Sequence, residues 1–411
     1  MRVQGFREGT PEHRESSDPE IGRVHSGRLR HLCYPCLGSF SGIRDPAITD
    51  EERGRTVLEH FRDKLTAWIE PSDQDSCEIC QGIFLSLDKL AGVVKKDLGE
   101  YEFSTILVGS REPSQASELE KEISMIIGSD FDPLKKRFNR KFGKLLEEQM
   151  GKAVDFLDPD IIVTVDLRYF SFSYTVKSLY VGGTYTKDSR NIPQTRWIHA
   201  PVNDADASVE SVIGNPLCEM AKGENFYLHG SGREDVDVRM LGNGREFILE
   251  VSGPRIRSLD LSEATRKINN NRFGVQVANL RFSSKPDVAR IKKAEYDKSY
   301  RAVVRASGAV NSERLLSAAQ NLSGKDIYQR TPLRVSTRRS DIVRVRNIRN
   351  IRIEQVSGET FTMVTRAQSG TYIKELITGD SGRTVPSLSQ EYGEPLEVLA
   401  LDVIWIHRDG D

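Results

Sequence analysis

The chain has 411 residues, which is long for a single hydrophobic core, so we expect at least two domains. Hydrophobic residues make up 37% of the chain and charged residues 29%, and no apolar stretch is long enough to span a bilayer, so we expect a cytoplasmic protein that does not enter a membrane. The net charge of −1 argues against a uniformly basic nucleic-acid binder, so any basic surface must be local.

The first 25 residues are polar and charged and contain few residues that could build a core. We therefore expect residues 1–25 to be disordered. No apolar block follows the charged start of the chain, so the pattern does not predict a secretory signal.

Two Cys-x-x-Cys pairs bound the first predicted folded module, residues 26–84. The four cysteines are Cys33, Cys36, Cys77 and Cys80. Each pair can bring two thiolates to one metal ion from a tight turn, so together they predict a tetrahedral zinc site. Four thiolates leave no open coordination position, and the zinc would therefore be structural. A capping-box pattern at residues 49–52 predicts a helix that folds the intervening segment back. A redox-active pair is the alternative, although a redox motif needs no second copy.

Residues 85–199 alternate between predicted helices and strands. We expect helices at 83–94, after Pro113 and at 133–150, and strands at 103–108, 161–165 and 170–176. The helix at 133–150 interleaves apolar residues with six cations: Lys135, Lys136, Arg137, Arg140, Lys141 and Lys144. A nucleic-acid surface and a solvated amphipathic helix both fit this pattern.

Residues 229–242 (HGSGREDVDVRMLG) place three acids and two arginines between glycines, just before a predicted strand at 246–251. Such a loop can hold an ionised carboxylate, and Asp235 is our candidate. Asp237 and Arg239 alternate with it, and on a strand they would share its face as supporting residues. The alternative is a surface loop with exposed salt bridges.

The remaining chain, residues 200–411, reads as many strands separated by few helices. We expect strands at 274–282, 300–305, 342–356, 360–366 and 396–406, and helices at 261–270, 312–322 and 370–378. This order predicts an α+β domain around one large, mixed, mostly antiparallel sheet.

A basic segment runs from Arg330 to Arg352 and carries eight arginines against the single acid Asp341. Within it, Arg344 and Arg346 alternate along a predicted strand and would share one face. Arginine's planar fork suits phosphate oxygens, so these two are candidate RNA-binding residues.

Four ordered segments carry a resemblance to a known family. They are 185–197 (YTKDSRNIPQTRW), 229–242, 329–335 (QRTPLRV) and 370–384 (GTYIKELITGDSGRT). With the cysteine pairs upstream, the chain resembles the archaeal and eukaryotic tRNA pseudouridine synthases of the Pus-ten family. The resemblance implies a zinc-bearing, THUMP-like N-terminal RNA-binding module, with the zinc-binding part at 26–84 and the THUMP-like domain at 85–199. It also implies a pseudouridine synthase catalytic domain at 200–411.

The resemblance also implies the site. Asp235 would be the catalytic aspartate and Lys374 the cation that pairs with it, while Tyr300, in a Lys-x-Tyr motif, would stack on the target base. Tyr372, Ile373 and Leu401 would also contact substrate, with Leu399 as the alternative leucine. The substrate would be uridine 54 and/or 55 in the tRNA T-arm, no organic cofactor would be needed, and the enzyme would be a monomer.

Three other functions fit parts of the pattern. A non-catalytic zinc-containing tRNA-binding protein would need only the N-terminal modules. A THUMP-type tRNA methyltransferase would need a glycine-rich turn after a strand, which the glycines at 182–183 and 242–244 do not supply. A metal-dependent nuclease could use Asp235, Asp237 and Glu250 around magnesium, although the adjacent cations would compete with that ion.

Overall fold

The computed structural model describes residues 29–43, 45–196, 207–337 and 340–408. The predicted disorder of residues 1–25 lies outside these ranges, as do Trp197, Arg338 and Arg339. The chain divides into two compact units, Met1–Lys177 and Ser178–Asp411. Among the described helices, none combines the length and the apolar character that crossing a bilayer requires.

The first unit is built on a four-stranded sheet. Its elements are β1 (Arg30–Leu32), α1 (Tyr34–Leu37), α2 (Asp50–His60), α3 (Arg62–Leu65), β2 (Ile69–Pro71), α4 (Leu87–Asp97), β3 (Thr105–Arg111), α5 (Ser114–Ile127), α6 (Leu134–Met150), β4 (Ala153–Val154), β5 (Ile161–Asp166) and β6 (Ser171–Val176). Strand β3 pairs in parallel with β4 and β5, and β6 pairs antiparallel with β5. Strands β1 and β2 form a separate parallel pair.

One hydrophobic core joins the cysteine pairs to this sheet. Helix α6 presents Leu134, Phe138, Phe142 and Leu146 to it, four residues apart and thus on one face. The buried cysteines belong to the same core. Over the described residues, the predicted module at 26–84 and the predicted module at 85–199 as far as Leu167 therefore share one core. Helix α2 begins at the expected capping box, in which Thr49 and Glu52 bond to each other's backbone N–H.

The second unit contains a ten-stranded sheet. Its elements are β7 (Leu179–Lys187), α7 (Val209–Ala221), β8 (Asn225–Gly230), β9 (Val238–Ser252), α8 (Leu261–Asn269), β10 (Val275–Ser283), α9 (Lys285–Lys293), β11 (Lys298–Ala306), α10 (Ser312–Leu322), β12 (Asp326–Arg330), β13 (Val343–Ser357), β14 (Thr360–Ala367), α11 (Ile373–Thr378), β15 (Thr384–Val385), α12 (Leu388–Tyr392) and β16 (Leu396–Ile406).

The strand order is β10-β7-β9-β16-β11-β14-β13-β12-β15, and β8 pairs with β9 beside this path. Only the β9–β16 pair is parallel among these described strands, with Val238 opposite Leu401. The prediction of a large, mixed, mostly antiparallel sheet is confirmed. Helices α7, α8, α10, α11 and α12 contribute to the main core, while Ile291 of α9 packs on the other face against Tyr180 and Ile248.

The boundary between the units differs from the predicted 199/200. Strand β7 lies between β9 and β10 and is bonded to both, so it is an interior strand of the second sheet. The second unit therefore starts at Ser178, so it includes residues 178–196, which were predicted to belong to the module at 85–199.

Candidate active site and metal site

The loop at 231–237, here called the acid loop, connects β8 to β9. Gly232 has a φ of +90°, and a Cβ at this position would lie 2.8 Å from Nη1 of Arg245, so only glycine fits. Asp235 and Asp237 lie in the turn before β9 and not along the strand, which corrects the prediction of a shared strand face. Arg239 does lie on β9, but it pairs with Asp402 at 2.8 Å.

Glu234, next to Asp235, anchors the acid loop from inside the protein. Its carboxylate pairs with Nε of Arg245 at 2.9 Å and accepts a hydrogen bond from the hydroxyl of Tyr185 at 2.9 Å. Arg245 also donates to the carbonyl of Ser231 at 2.7 Å. Burial raises the pKa of Tyr185, which therefore remains a donor. Because both charges are buried, removing either would leave the other unpaired, and the pair holds the loop in one position.

Two residues of the 185–197 segment hold the backbone of the acid loop. The side-chain amide of Gln194 donates to the carbonyl of Gly232 at 3.0 Å. The ammonium of Lys187, fully buried, donates to the carbonyls of Asp235 at 3.2 Å and Val236 at 3.0 Å. Burial lowers the pKa of Lys187. The segment was singled out in the sequence, but these roles were not predicted, because long-range contacts to backbone leave no local signal.

Charges of alternating sign surround Asp235. Its carboxylate lies 2.8 Å from Nη1 of Arg334 and 3.5 Å from Nζ of Lys374. Arg334 also binds Glu375 at 2.6 Å, and Lys374 binds Asp237 at 2.7 Å. Burial opposes ionisation of Asp237, but the hydrogen bond and charge of Lys374 outweigh it and lower the pKa. The predicted partner Lys374 is therefore present, but Arg334, which was not predicted, is nearer.

A cavity of about 280 Å³ opens beside Asp235. Six of the predicted site residues line it: Asp235, Tyr300, Tyr372, Ile373, Lys374 and Leu401. Leu401, which is 6% exposed, lines the cavity, whereas Leu399, which is 44% exposed, does not. Residues from four separated sequence segments thus meet at the parallel β9–β16 pair.

Burial shifts the pKa values of Tyr300 and Lys298 in the cavity wall. Burial raises the pKa of Tyr300 to about 12, so its hydroxyl is protonated at neutral pH. Burial and the nearby charge of Arg245 lower the pKa of Lys298 to about 8. The Lys298 ammonium donates to the carbonyl of Tyr296 at 3.0 Å.

Gln329 connects two of the motif segments. Its buried amide accepts from the backbone N–H of Tyr372 and donates to the carbonyl of the same residue, both at 2.9 Å. The turn that carries Arg334 is thereby fixed to the helix that carries Lys374. A carboxylate between these two cations, beside a cavity with apolar and aromatic walls, suits nucleophilic attack or proton transfer on a bound molecule.

Four of the six described arginines in the Arg330–Arg352 segment form ion pairs with acids. The ion pairs are Arg330 with Asp341, Arg334 with Asp235 and Glu375, Arg349 with Asp297, and Arg352 with Glu354. Arg344 instead donates to the hydroxyl of Thr331 at 3.0 Å, and Arg346 donates to the carbonyl of Val345 at 2.8 Å. Compared with the other described arginines of this segment, these two guanidinium groups therefore have more of their charge available to bind an anion.

Arg346 lies close to the cavity without lining it. A Cβ on Gly370, a cavity residue with a φ of +79°, would lie 3.2 Å from Nε of Arg346. That Nε atom is buried, and none of the described residues accepts a hydrogen bond from it. In the β12–β13 register, Arg344 and Arg346 stand opposite Gln329 and Ile327, whose side chains are buried. The two arginines thus occupy the face of β13 nearer the cavity.

The basic helix α6 turns most of its cations toward the first unit's own acids. Arg137 is buried, and three other cations form ion pairs: Arg140 with Asp132, Lys141 with Asp50, and Lys144 with Glu148. These contacts favour the amphipathic-helix interpretation over a dedicated nucleic-acid surface.

The four predicted cysteine ligands meet in the first unit. Their sulfur atoms lie within 4.8 Å of one another, all four residues are buried, and none forms a disulfide. Sγ of Cys33 is 3.7 Å from Sγ of Cys80, close to the ~3.8 Å edge of a tetrahedron with metal–sulfur bonds of about 2.3 Å. The residues present therefore fit a metal ion.

The close approach of the four thiols shifts their pKa values in both directions. Hydrogen bonds from neighbouring thiols lower the pKa of Cys33 and Cys77, and the same cluster raises the pKa of Cys36 and Cys80. Four thiolates at this spacing need a positive charge between them. By contrast, Glu250 is bonded to His229 and Tyr180, and the carboxylates proposed for a nuclease do not form a metal cluster among the described residues.

Known protein families match both units. Residues 180–407 match the family described as "Pus10, C-terminal", and residues 90–166 match "Pus10 THUMP domain, archaeal". The tRNA pseudouridine synthase Pus10 of Thermoplasma acidophilum is 46% identical over 92% of this chain and 97% of its own length. That of Picrophilus torridus is 42% identical over the same shares of the two chains. This chain belongs to the Pus10 family.

Family membership confirms the resemblance seen in the motifs. The chain is a pseudouridine synthase, an isomerase, with a THUMP domain in the first unit and the pseudouridine synthase fold in the second. The non-catalytic and methyltransferase alternatives are therefore set aside. Among solved structures, a Cbf5-Nop10-Gar1 complex is similar over 53% of this chain and 61% of the matched chain, at 15% identity and a TM-score of 0.30.

Proposed function

We propose that this enzyme isomerises uridine to pseudouridine at positions 54 and/or 55 of the tRNA T-arm, with Asp235 as the catalytic residue. The relatives are named as tRNA pseudouridine synthases, which supports tRNA as the substrate. One observation carries the residue assignment: the Asp235 carboxylate lies at the edge of the cavity between Arg334 and Lys374. The enzyme acts as a monomer in the cytoplasm.

The reaction rearranges one nucleotide. The bond between N1 of uracil and C1′ of ribose breaks, the ring turns, and C5 bonds to C1′. C5 loses a proton and N1 gains one, so nothing is consumed and no organic cofactor is required. Asp235 either attacks C1′ or assists an elimination from the ribose, and both routes need an ionised carboxylate. Arg334 and Lys374 lie 2.8 Å and 3.5 Å from that carboxylate and hold it between two cations.

The other cavity residues hold the base once it has left the RNA stack. Tyr300 stacks on the ring, and because its pKa is about 12 it can also donate a hydrogen bond at neutral pH. Ile373 and Leu401 form apolar walls, and Tyr372 contacts substrate from the end of the same helix as Ile373. Arg344 and Arg346 bind backbone phosphates beside the cavity.

The first unit holds one structural zinc ion on Cys33, Cys36, Cys77 and Cys80. Four sulfur ligands are the donor set that zinc takes in closed, structural sites, and the burial of all four supports this role. When bound, zinc supplies folding free energy to this unit and takes no part in the reaction.

Chemical mapping of pseudouridine in tRNA transcripts tests the proposal. Purified protein is incubated with transcripts that carry uridine at 54 alone, at 55 alone, or at both, with cytidine as the replacement. We expect modification without nucleotide or methyl donor, and none with the Asp235→Asn variant. A transcript that binds tightly but stays unmodified would overturn the proposal.

A further inference from the structure

Arg137 of α6 directs its guanidinium at the four-cysteine cluster. Nη1 and Nη2 each donate to Sγ of Cys36 at 3.7 Å, and Nη1 also donates to the carbonyl of Pro35 at 3.4 Å. The side chain is 5% exposed, so these contacts form away from water. The cysteine that Arg137 contacts is itself fully buried.

The rest of the guanidinium is bound on its other side. Nε donates to the carbonyl of Asp132 at 3.0 Å, and Nη2 pairs with Glu120 of α5 at 3.2 Å. Glu120, with 1% of its side chain exposed, also accepts from the backbone N–H of Leu134 at 2.9 Å, in the first turn of α6. The fork therefore connects the first cysteine pair, the middle of α5 and the start of α6.

The negative charge of an occupied four-thiolate site explains why a cation is favourable beside Cys36. A divalent ion with four thiolates carries a net charge of −2, and an N–H donor to sulfur disperses part of it. Arginine suits this position better than lysine because its planar, always charged fork can serve a sulfur, a carbonyl and a carboxylate together. Hydrogen bonds of this outer kind orient and tune metal ligands.

We propose that Arg137 is the outer-shell positioning residue of the metal site, and that it couples metal retention to the placement of α6. This inference rests on the proposed metal site and extends it to a residue outside the Cys-x-x-Cys pairs. Emptying the site would leave the buried guanidinium without its thiolate partner, which would loosen the start of α6.

The test uses full-length protein loaded with Zn²⁺ and a chromophoric chelator in competition with it. The variants are Arg137→Gln and Arg137→Lys, with Arg140→Gln as the matched control because Arg140 lies on the same helix, is half exposed and pairs with Asp132. We expect the apparent zinc affinity to fall on the order of 10- to 100-fold for Arg137→Gln, less for Arg137→Lys, and to stay unchanged for the control.

A second readout separates this role from general support of the fold. In Co²⁺-substituted protein, the sulfur-to-cobalt charge-transfer band should shift in Arg137→Lys, because Cys36 loses a hydrogen-bond donor. This variant decides the matter if Arg137→Gln does not fold. Wild-type zinc affinity with an unshifted band in Arg137→Lys would overturn the inference. A wild-type protein that binds no zinc would instead overturn the metal site itself.

Discussion

The four-cysteine cluster and the Asp235 cluster each bring together groups that would be unfavourable side by side without partners of opposite charge. The two clusters differ in how far their side chains are exposed to solvent. All four cysteines are at most 3% exposed. At the other cluster, 40% of the Asp235 side chain and 37% of the Arg334 side chain are exposed. A closed set of ligands stabilises a fold, whereas a carboxylate that opens onto a cavity can reach a substrate.

The clusters also differ in how they are held. The cysteines are part of the core of the first unit, so a metal there and the fold of that unit depend on each other. Asp235 is held indirectly, through the buried Glu234–Arg245 pair and the ammonium of Lys187, and its own carboxylate stays out of the core. Altering the Asp235 cluster should therefore change the reaction rate but not the stability of the fold. Altering the four-cysteine cluster should change the stability of the fold but not the reaction rate.

Asp235→Asn should show the largest effect. The amide keeps the shape of the carboxylate but cannot attack or accept a proton as an anion, so we expect turnover to fall on the order of 10⁴-fold or more. tRNA affinity and melting temperature should stay near wild type. Single-turnover pseudouridine formation measures the turnover, and filter binding measures the tRNA affinity.

Asp237→Asn is the matched control for Asp235→Asn. Asp237 lies two residues away and binds Lys374, but its side chain is 64% exposed. We expect this variant to retain substantial activity. An equal loss in both variants, or loss of tRNA binding in Asp235→Asn, would move the catalytic role away from Asp235.

Metal removal should affect the four-cysteine cluster and leave the Asp235 cluster unchanged. We expect about one zinc per chain by elemental analysis, and a chelator should unfold the first unit while the sheet of the second unit persists. Hydrogen exchange with mass spectrometry can follow β5 and β9 in the same sample. Zinc-free reduced protein with a normally protected β5 would contradict a structural metal, and disulfides within the pairs would favour the redox alternative.

The sequence was most informative where one local pattern decides the outcome. The capping box at Thr49, the cysteine pairs and the alternating strands of the large sheet are such patterns, and β16 spans the predicted residues 396–406. Helix α7 was not predicted, because Pro216 inside it breaks the expected pattern. Strand β7 was not predicted either, because it is covered on both faces and carries two glycines.

Individual residues of the site could be predicted only where they belong to a recognised sequence motif. Asp235, Tyr300 and Lys374 were named from motifs, and the structure brings them to one cavity. Arg334 was counted only as one cation of a basic run, because its ion pairs join residues far apart in sequence. The same limit hid Asp297, the acid that neutralises Arg349.

Replacing both Arg344 and Arg346 by glutamine tests whether the RNA-binding surface extends beyond the cavity. If both contact phosphates, affinity for all tRNAs should fall, and the slope of log affinity against log salt should drop by on the order of one unit per lost contact. Arg352→Gln is the control, because Arg352 lies on the same strand but is paired with Glu354. An unchanged slope in the double variant would assign Arg344 and Arg346 to the fold, and would direct the search for the RNA path to α6.

The smallest effect concerns Lys298, a buried cation within the open cavity. Its pKa falls to about 8 in the folded protein, from an ordinary 10.5, because burial and Arg245 disfavour the ammonium. Below pH 8 both the folded and the unfolded chain hold this proton. Between pH 8 and 10.5 the folded chain releases it first, so this group should make the free energy of unfolding rise with pH.

Lys298→Met isolates that contribution from the other titrating groups. Wild-type stability relative to the variant should increase from pH 7 to pH 9, as measured by urea unfolding at each pH. The window ends below pH 10, where Tyr300 begins to act in the opposite sense: burial raises its folded pKa to about 12, so stability is lost as the unfolded tyrosine ionises. A wild-type and variant difference that is constant from pH 7 to pH 9 would show that Lys298 is solvated like a surface lysine, and the cavity would then be wetter than its lining residues indicate.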